Sequence, residues 1–292
     1  MAVAEARIEK TRDSGGGWRR AAMPWLLILP AFIITMLLLV VPLGYLVVVS
    51  FTDKSSFLFV PVYTAANYVT IFTEQNILIF ETIKQAAGSV VIDLMFGFPF
   101  AYFLVRKVRY RDLVRALMAF PLFGTLYLAF GMRFILLPDA TVGKLLVAVG
   151  LNPMSFLYST PTVMFALAVG TFPFMVVSIA TALQNVEVTL EEAAAALGAN
   201  GWHTFTRVLL PMTSSGILAG SLLCFGWNLG VYIVPLLLGA QGDTRVLAVT
   251  MYIRGVINND YGMAAAQGII LMVLATVVTY ISLRFSRGAL AS

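Results

Sequence analysis

The chain has 292 residues, 60% of them hydrophobic and 11% charged, with a mean hydropathy of +0.91. Soluble domains carry about a quarter charged residues, so this composition excludes a soluble enzyme or nucleic-acid-binding module and predicts an integral membrane protein. The net charge of +5 reads as the basic residues that orient a membrane chain, and one cysteine with one histidine leaves no material for a disulfide framework, metal cluster or histidine relay.

Residues 1–23 are polar and basic around Gly15-Gly16-Gly17 and are predicted as a flexible cytoplasmic tail. One membrane domain follows at 24–285, with a short tail at 286–292. The first span runs from Pro24 to about Ser50, too long an apolar run for a cleaved signal. Residues 51–75 form a loop whose aromatic-rich piece, Tyr63 to Phe72, suits a membrane interface. The second span runs from Asn76 to Val105 and ends on Arg106, Lys107, Arg109, Arg111 and Arg115. The third is Leu117 to Leu137. A loop at 138–160 holds a short apolar helix, Val142 to Leu151. The fourth span is Pro161 to Leu183 and the fifth Thr213 to Leu238. A loop, Gly239 to Tyr261, leads to the sixth span, Gly262 to Leu283.

Six spans place both termini on one side. With the termini inside, cytoplasmic segments hold thirteen of the nineteen lysines and arginines and external loops hold five, with Arg133 inside a span. The positive-inside rule therefore places residues 184–212 in the cytoplasm. This stretch is the polar exception in the chain. Thr189 and Glu192 have capping-box spacing, Glu191 reads as a solvated first-turn charge, and Ala193 to Leu197 favour helix. Gly198 is the expected helix stop. A second amphipathic piece, Asn200 to Leu210, carries Trp202, Phe205 and Leu209 at helical spacing and stops at Pro211.

The triplet Glu192-Ala193-Ala194, then Gly198, then Leu210-Pro211, placed between the fourth and fifth spans, resembles the EAA loop of permease subunits of binding-protein-dependent ABC importers. Ala66-Asn67-Tyr68, Gly97-Phe98-Pro99, Pro173-Phe174-Met175 and Gly216 to Ser221 look like the spermidine/putrescine-type subgroup. The resemblance implies an all-α membrane fold, the type I importer permease: six transmembrane helices with a cytoplasmic coupling helix between the fourth and fifth. It implies that Glu191, Glu192, Ala193, Ala194, Gly198 and Pro211 serve coupling to a cytoplasmic ABC ATPase dimer. It further implies a second six-span permease subunit, commonly a different chain, an extracytoplasmic solute-binding protein, and residence in the bacterial inner membrane with both termini cytoplasmic. Where the family often has Asp-Pro before the capping residue, this chain has Glu187-Val188.

No G-x-x-x-x-G-K-[ST] loop occurs in the sequence, so ATP and magnesium are expected on the partner ATPase and no cofactor or catalytic residue in this chain. Asp93 is the one carboxylate placed well inside a span. Two readings stand: attraction of a cationic solute, or a structural pair with Arg133 or a polar neighbour. The fifth span adds Trp227, Asn228 and Tyr232 as candidates for the translocation path, beside two small-xxx-small pairs, Gly216/Gly220 and Gly226/Gly230. Polyamine-type relatives commonly carry an acid just before an aromatic here, whereas this chain has Val231-Tyr232, which counts against a polyamine. Opines, other small organic amines or acids, phosphonates and ferric iron are the other solutes considered. An ion-coupled secondary transporter is the alternative, but it would want discontinuous helices and several buried ionisable groups.

Overall fold

The computed structural model describes residues 17–53, 62–108, 114, 124–239 and 245–289. Apart from one antiparallel bridge between Thr52 and Tyr63, the regular elements among them are helical. The chain divides into two units, residues 1–49 and 50–292. The first contains nearly all of α1, Gly17–Ser50, which is helical from seven residues before Pro24.

In the second unit, α2 (Ala66–Thr73) precedes the long α3 (Asn76–Arg106), and α4 (Thr125–Ile135) follows the basic cluster. Short α5 (Thr141–Ala148) and α6 (Pro153–Leu157) lead to α7 (Thr160–Gln184). Next come α8 (Val188–Ala196), α9 (Gly201–Met212), α10 (Ser214–Gly230) and α11 (Ile233–Leu238). Finally, α12 (Leu247–Ile257) turns into α13 (Tyr261–Ala289).

Among the described residues, four helices are long and apolar enough to cross a bilayer: Leu29–Ser50 within α1, α3, α7 and Tyr261–Ile281 within α13. A fifth appears if α9 and α10, bent by 70° at their junction, count as one. The expected spans and these helices differ in three places. The expected third span is described only as α4, because residues 115–123 lie outside the described set, as do Arg109, Arg111 and Arg115. The expected fifth span is discontinuous: α10 stops at Gly230, and Val231 is extended at φ −73°, ψ 116°. Pro235 explains the break, since it has no N–H for the Val231 carbonyl and its ring would crowd that carbonyl in a continuous helix. The expected external loop 239–261 also contains α12, whose Leu247, Ala248 and Val249 are buried against α13 and α2 residues such as Met263 and Ile71. Tertiary packing, rather than a periodic pattern, makes that segment helical.

At the centre is α7. Met175, Val176, Ile179 and Leu183 are buried, packed with α3 residues Phe98, Ala101 and Leu104 and with Cys224 of α10, while Leu167 is buried with Ala129 of α4 and Val234 and Leu238 of α11. The first small-residue pair permits the contact with α10. A Cβ on Gly216 would stand 2.5 Å from the Ala182 Cβ and 2.8 Å from the Ser178 carbonyl oxygen; one on Gly220 would stand 2.9 Å from the Met175 sulfur. The Ser178 hydroxyl donates to the Gly216 carbonyl at 2.8 Å. Gly226 and Gly230, in contrast, face open space. At the other end of the bundle, Asn67 uses its amide to hold the chain before α2, donating to the Ser50 and Thr52 carbonyls at 3.0 and 2.9 Å. The Tyr68 hydroxyl meets the Ser50 hydroxyl at 2.7 Å, which gives the Asn67-Tyr68 pair a structural role.

These contacts separate the two glycine pairs. Gly216→Val is expected to destabilise the detergent-solubilised protein by about 1–3 kcal/mol through overpacking, whereas Gly226→Ala leaves its thermal midpoint unchanged. A thermal-shift comparison of the two variants checks this.

Candidate functional site

The EAA segment folds as a short helix held at both ends by local chemistry. Helix α8 starts one residue before Thr189: Glu187 is the N-cap, extended at φ −66° and ψ 136°, and its carbonyl accepts the Leu190 N–H at 3.2 Å. The expected Thr189–Glu192 capping box is therefore absent. The Thr189 hydroxyl lies inside the helix and donates to the Glu187 carboxylate at 3.1 Å instead. At the other end the Gly198 expectation holds. Gly198 has φ +86°, its N–H donates to the Ala195 carbonyl at 3.0 Å, and the Ala199 N–H reaches back to Ala194 at 3.0 Å. This pair of bonds is a Schellman stop, and its left-handed residue is cheapest as glycine. None of the nine residues of α8 is buried. Glu192, Ala193, Ala195 and Ala196 are exposed, and Leu197 just beyond is 89% exposed.

Glu191 departs from the sequence reading. It is not a solvated charge: its Oε1 accepts from Arg106 Nε at 2.9 Å and lies 2.8 Å from Nη2, and its Oε2 accepts from the Tyr102 hydroxyl at 3.0 Å. Arg106 Nη2 also donates to the Val186 carbonyl at 2.8 Å. Both side chains of the ion pair are only 13% exposed. The end of α3 thus grips the first turn of α8 and the linker before it. Nothing in the sequence pairs Tyr102 or Arg106 with Glu191, because they lie 89 and 85 residues from it.

Helix α9 continues the site. Asn200 caps it, its side-chain oxygen accepting the His203 N–H at 2.9 Å. A π-helical stretch, Phe205–Leu209, sets the Phe205 ring edge-on to Phe98 of α3, with centroids 4.9 Å apart. Leu209 is buried, while Trp202 is 69% exposed. Pro211 lies exposed in the last turn before the bend into α10. Between these helices and the C-terminal half of α3 is an open groove of about 840 Å³ lined by Phe98, Phe103, Val188, Glu192 and Trp202.

The four candidate path residues separate into a pair and two individuals. Asp93 is fully buried, and its Oδ2 accepts from the Thr171 hydroxyl of α7 at 2.7 Å. Asn228 Nδ2 donates to that same hydroxyl at 3.2 Å and to the Ser89 hydroxyl at 2.8 Å, and Ser89 in turn donates to the Ala86 carbonyl. The Cys224 thiol points at the Thr171 carbonyl, 3.5 Å away. One polar network therefore ties α3, α7 and α10 together in the bundle interior. Arg133 is not Asp93's partner; it donates to the Leu237 carbonyl of α11 at 3.1 Å. Trp227 is half exposed beside Phe174, centroids 5.8 Å apart. Tyr232 sits in the break between α10 and α11, stacked on Tyr252 at 4.8 Å. Thr171 and Ser89 were missed, although Ser89 lies four residues before Asp93 on the same face of α3.

Comparison with known proteins agrees with this architecture. The chain is 29% identical over 243 residues to the Haemophilus influenzae spermidine/putrescine transport system permease protein PotB, covering 80% of this chain and 83% of that one. It is 32% identical over 186 residues to the Escherichia coli molybdenum transport system permease protein ModB, covering 59% and 76%. Among solved structures, a bacterial alginate ABC transporter in complex with its alginate pentasaccharide-bound periplasmic protein contains a chain of the same fold. It superposes with a TM-score of 0.71 at 23% identity, covering 92% of this chain and 95% of that one. Residues 93–290 match the family described as the binding-protein-dependent transport system inner membrane component, and the chain belongs to that family.

Proposed function

We propose that this importer permease is driven through α8, which docks on a cytoplasmic ATPase dimer with Glu192, Ala193, Ala194 and Gly198 at the contact. The observation that carries the reading is the exposure of α8: none of its nine residues is buried, yet both ends are fixed. A small rigid helix with alanines on its surface fits a cleft closely, and Glu192 offers a charge for a basic residue there. Pro211 marks where the following segment turns back into the membrane.

The remaining parts of the assembly follow from the same reading. ATP and magnesium belong to the ATPase, because this sequence has no phosphate-binding loop, and this chain acts as a transport subunit without catalysis of its own. A second six-span permease, in a heterodimer, completes the path, and an extracytoplasmic binding protein delivers the solute. The termini face the cytoplasm of the bacterial inner membrane, following the distribution of basic residues. The named cargoes of the relatives differ, spermidine/putrescine for one and molybdenum for the other. The solute class proposed is a small organic compound of the polyamine or opine kind. Discontinuity between α10 and α11 is a feature an ion-coupled transporter would want, but an exposed docking helix and family membership favour the ATP-driven importer.

Asp93 and Asn228 are proposed to hold the spans in register, and Trp227 and Tyr232 to face the solute. Burial of the first pair in a hydrogen-bonded network, and the partial exposure of the second, support that division.

Two measurements test this reading. Glu192→Ala is expected to insert normally but to lose most solute-stimulated ATP hydrolysis in proteoliposomes containing the whole complex; full stimulation would remove α8 from the docking role. Thr171→Val takes the donor from Asp93 and is expected to lower stability by about 1–2 kcal/mol, read as an earlier thermal midpoint, without altering the affinity of the complex for its solute.

A further inference from the structure

We propose that Arg106 and Tyr102 are positioning residues that couple α8 to the second span, so that the two neighbouring glutamates have opposite duties. Glu192 faces outward to the ATPase, and Glu191 carries the displacement of α8 into α3. This rests on the docking role of α8 proposed above.

The geometry separates the two side chains. Glu192 is exposed, whereas the Glu191 carboxylate is 13% exposed and held by three donor contacts from α3: Arg106 Nε at 2.9 Å, Arg106 Nη2 at 2.8 Å and the Tyr102 hydroxyl at 3.0 Å. Arg106 also takes the Val186 carbonyl at 2.8 Å, fixing the linker that leads from α7 into α8. Among the described residues this is the one salt bridge between α8 and a span. With no residue of α8 buried, apolar packing gives α8 little grip on the bundle, and the directional bonds of a guanidinium fork supply it. Displacing α8 therefore moves the end of α3. That helix is joined in turn to α7 and α10 through Asp93, Thr171 and Asn228.

Residues 85 apart that form one link give a double-mutant signature. The experiment uses the complete importer with its ATPase and binding protein, reconstituted in proteoliposomes, and reads solute uptake per ATP hydrolysed. Arg106→Gln and Glu191→Gln are each expected to retain the ATPase on purification and to keep hydrolysing ATP, while uptake per ATP falls at least tenfold. The double variant is expected to be no worse than either single one. Arg106→Lys keeps the charge but not the fork and is expected to fall between wild type and Arg106→Gln. Glu191→Gln retains an acceptor for Tyr102, so it is the variant that preserves the fold if Arg106→Gln does not insert.

Unchanged uptake per ATP in Glu191→Gln, or losses that multiply in the double variant, would overturn the link. Loss of the ATPase from Glu191→Gln would also overturn it, by assigning Glu191 to the docking face. A wild-type chain that retains no ATPase would instead defeat the docking reading on which the proposal rests.

Discussion

Lipid gives two helices no reason to associate through their leucines, because hydrocarbon already surrounds each of them. Close backbone approach and interhelical hydrogen bonds must hold the bundle, and here both converge on α7. Gly216 and Gly220 bring α10 against Ser178 and Met175, and the Ser178 hydroxyl bonds the Gly216 carbonyl across the contact. Two turns before Ser178, Thr171 on the same helix donates to Asp93 of α3 and accepts from Asn228 of α10. Thr171 thus joins α3 to α10, beside the direct bond from Asn228 to Ser89.

This arrangement orders the rest of the second unit. The buried apolar cluster of Phe98, Ala101, Met175, Ile179 and Cys224 fills the space that the glycines and hydroxyls define. The cluster also includes Val186 and Leu209, so it supports the linker before α8 and the end of α9. The exposed α8 is thus flanked by segments packed into this cluster. Near the break at Val231, by contrast, Trp227 is half exposed and Tyr232 is partly so. The packed cluster lies beside α8, and the more exposed aromatic side chains lie near the break.

How much of this could be read from the residues depends on the range of the interaction. Spans α3 and α7 are long and predominantly apolar, and their ends fall within a residue of the expected ones. Gly198 is a local signal and holds. The N-terminus of α8 fails locally, because Glu187 and Thr189 both offer capping oxygens and the backbone begins its turn at the first. The break in the fifth span was legible in Pro235, whose effect falls a full turn earlier at Val231. Nothing local marks the Arg106–Glu191 pair or the hydrogen bond from Thr171 to Asp93. These depend on which helices meet, and the apolar pattern of a membrane span leaves its rotation undetermined.

The contrast between Glu191 and Glu192 has a consequence for inheritance. Change at position 191 can be answered by a second change at Arg106 or Tyr102 within the same gene, and it travels with that gene. If position 192 meets a separate motor protein, its compensating change lies in another reading frame. Two adjacent codons would then belong to different units of selection, one private to the permease and one shared with the gene of the motor. Horizontal transfer of the permease without its ATPase would leave the first intact and strand the second.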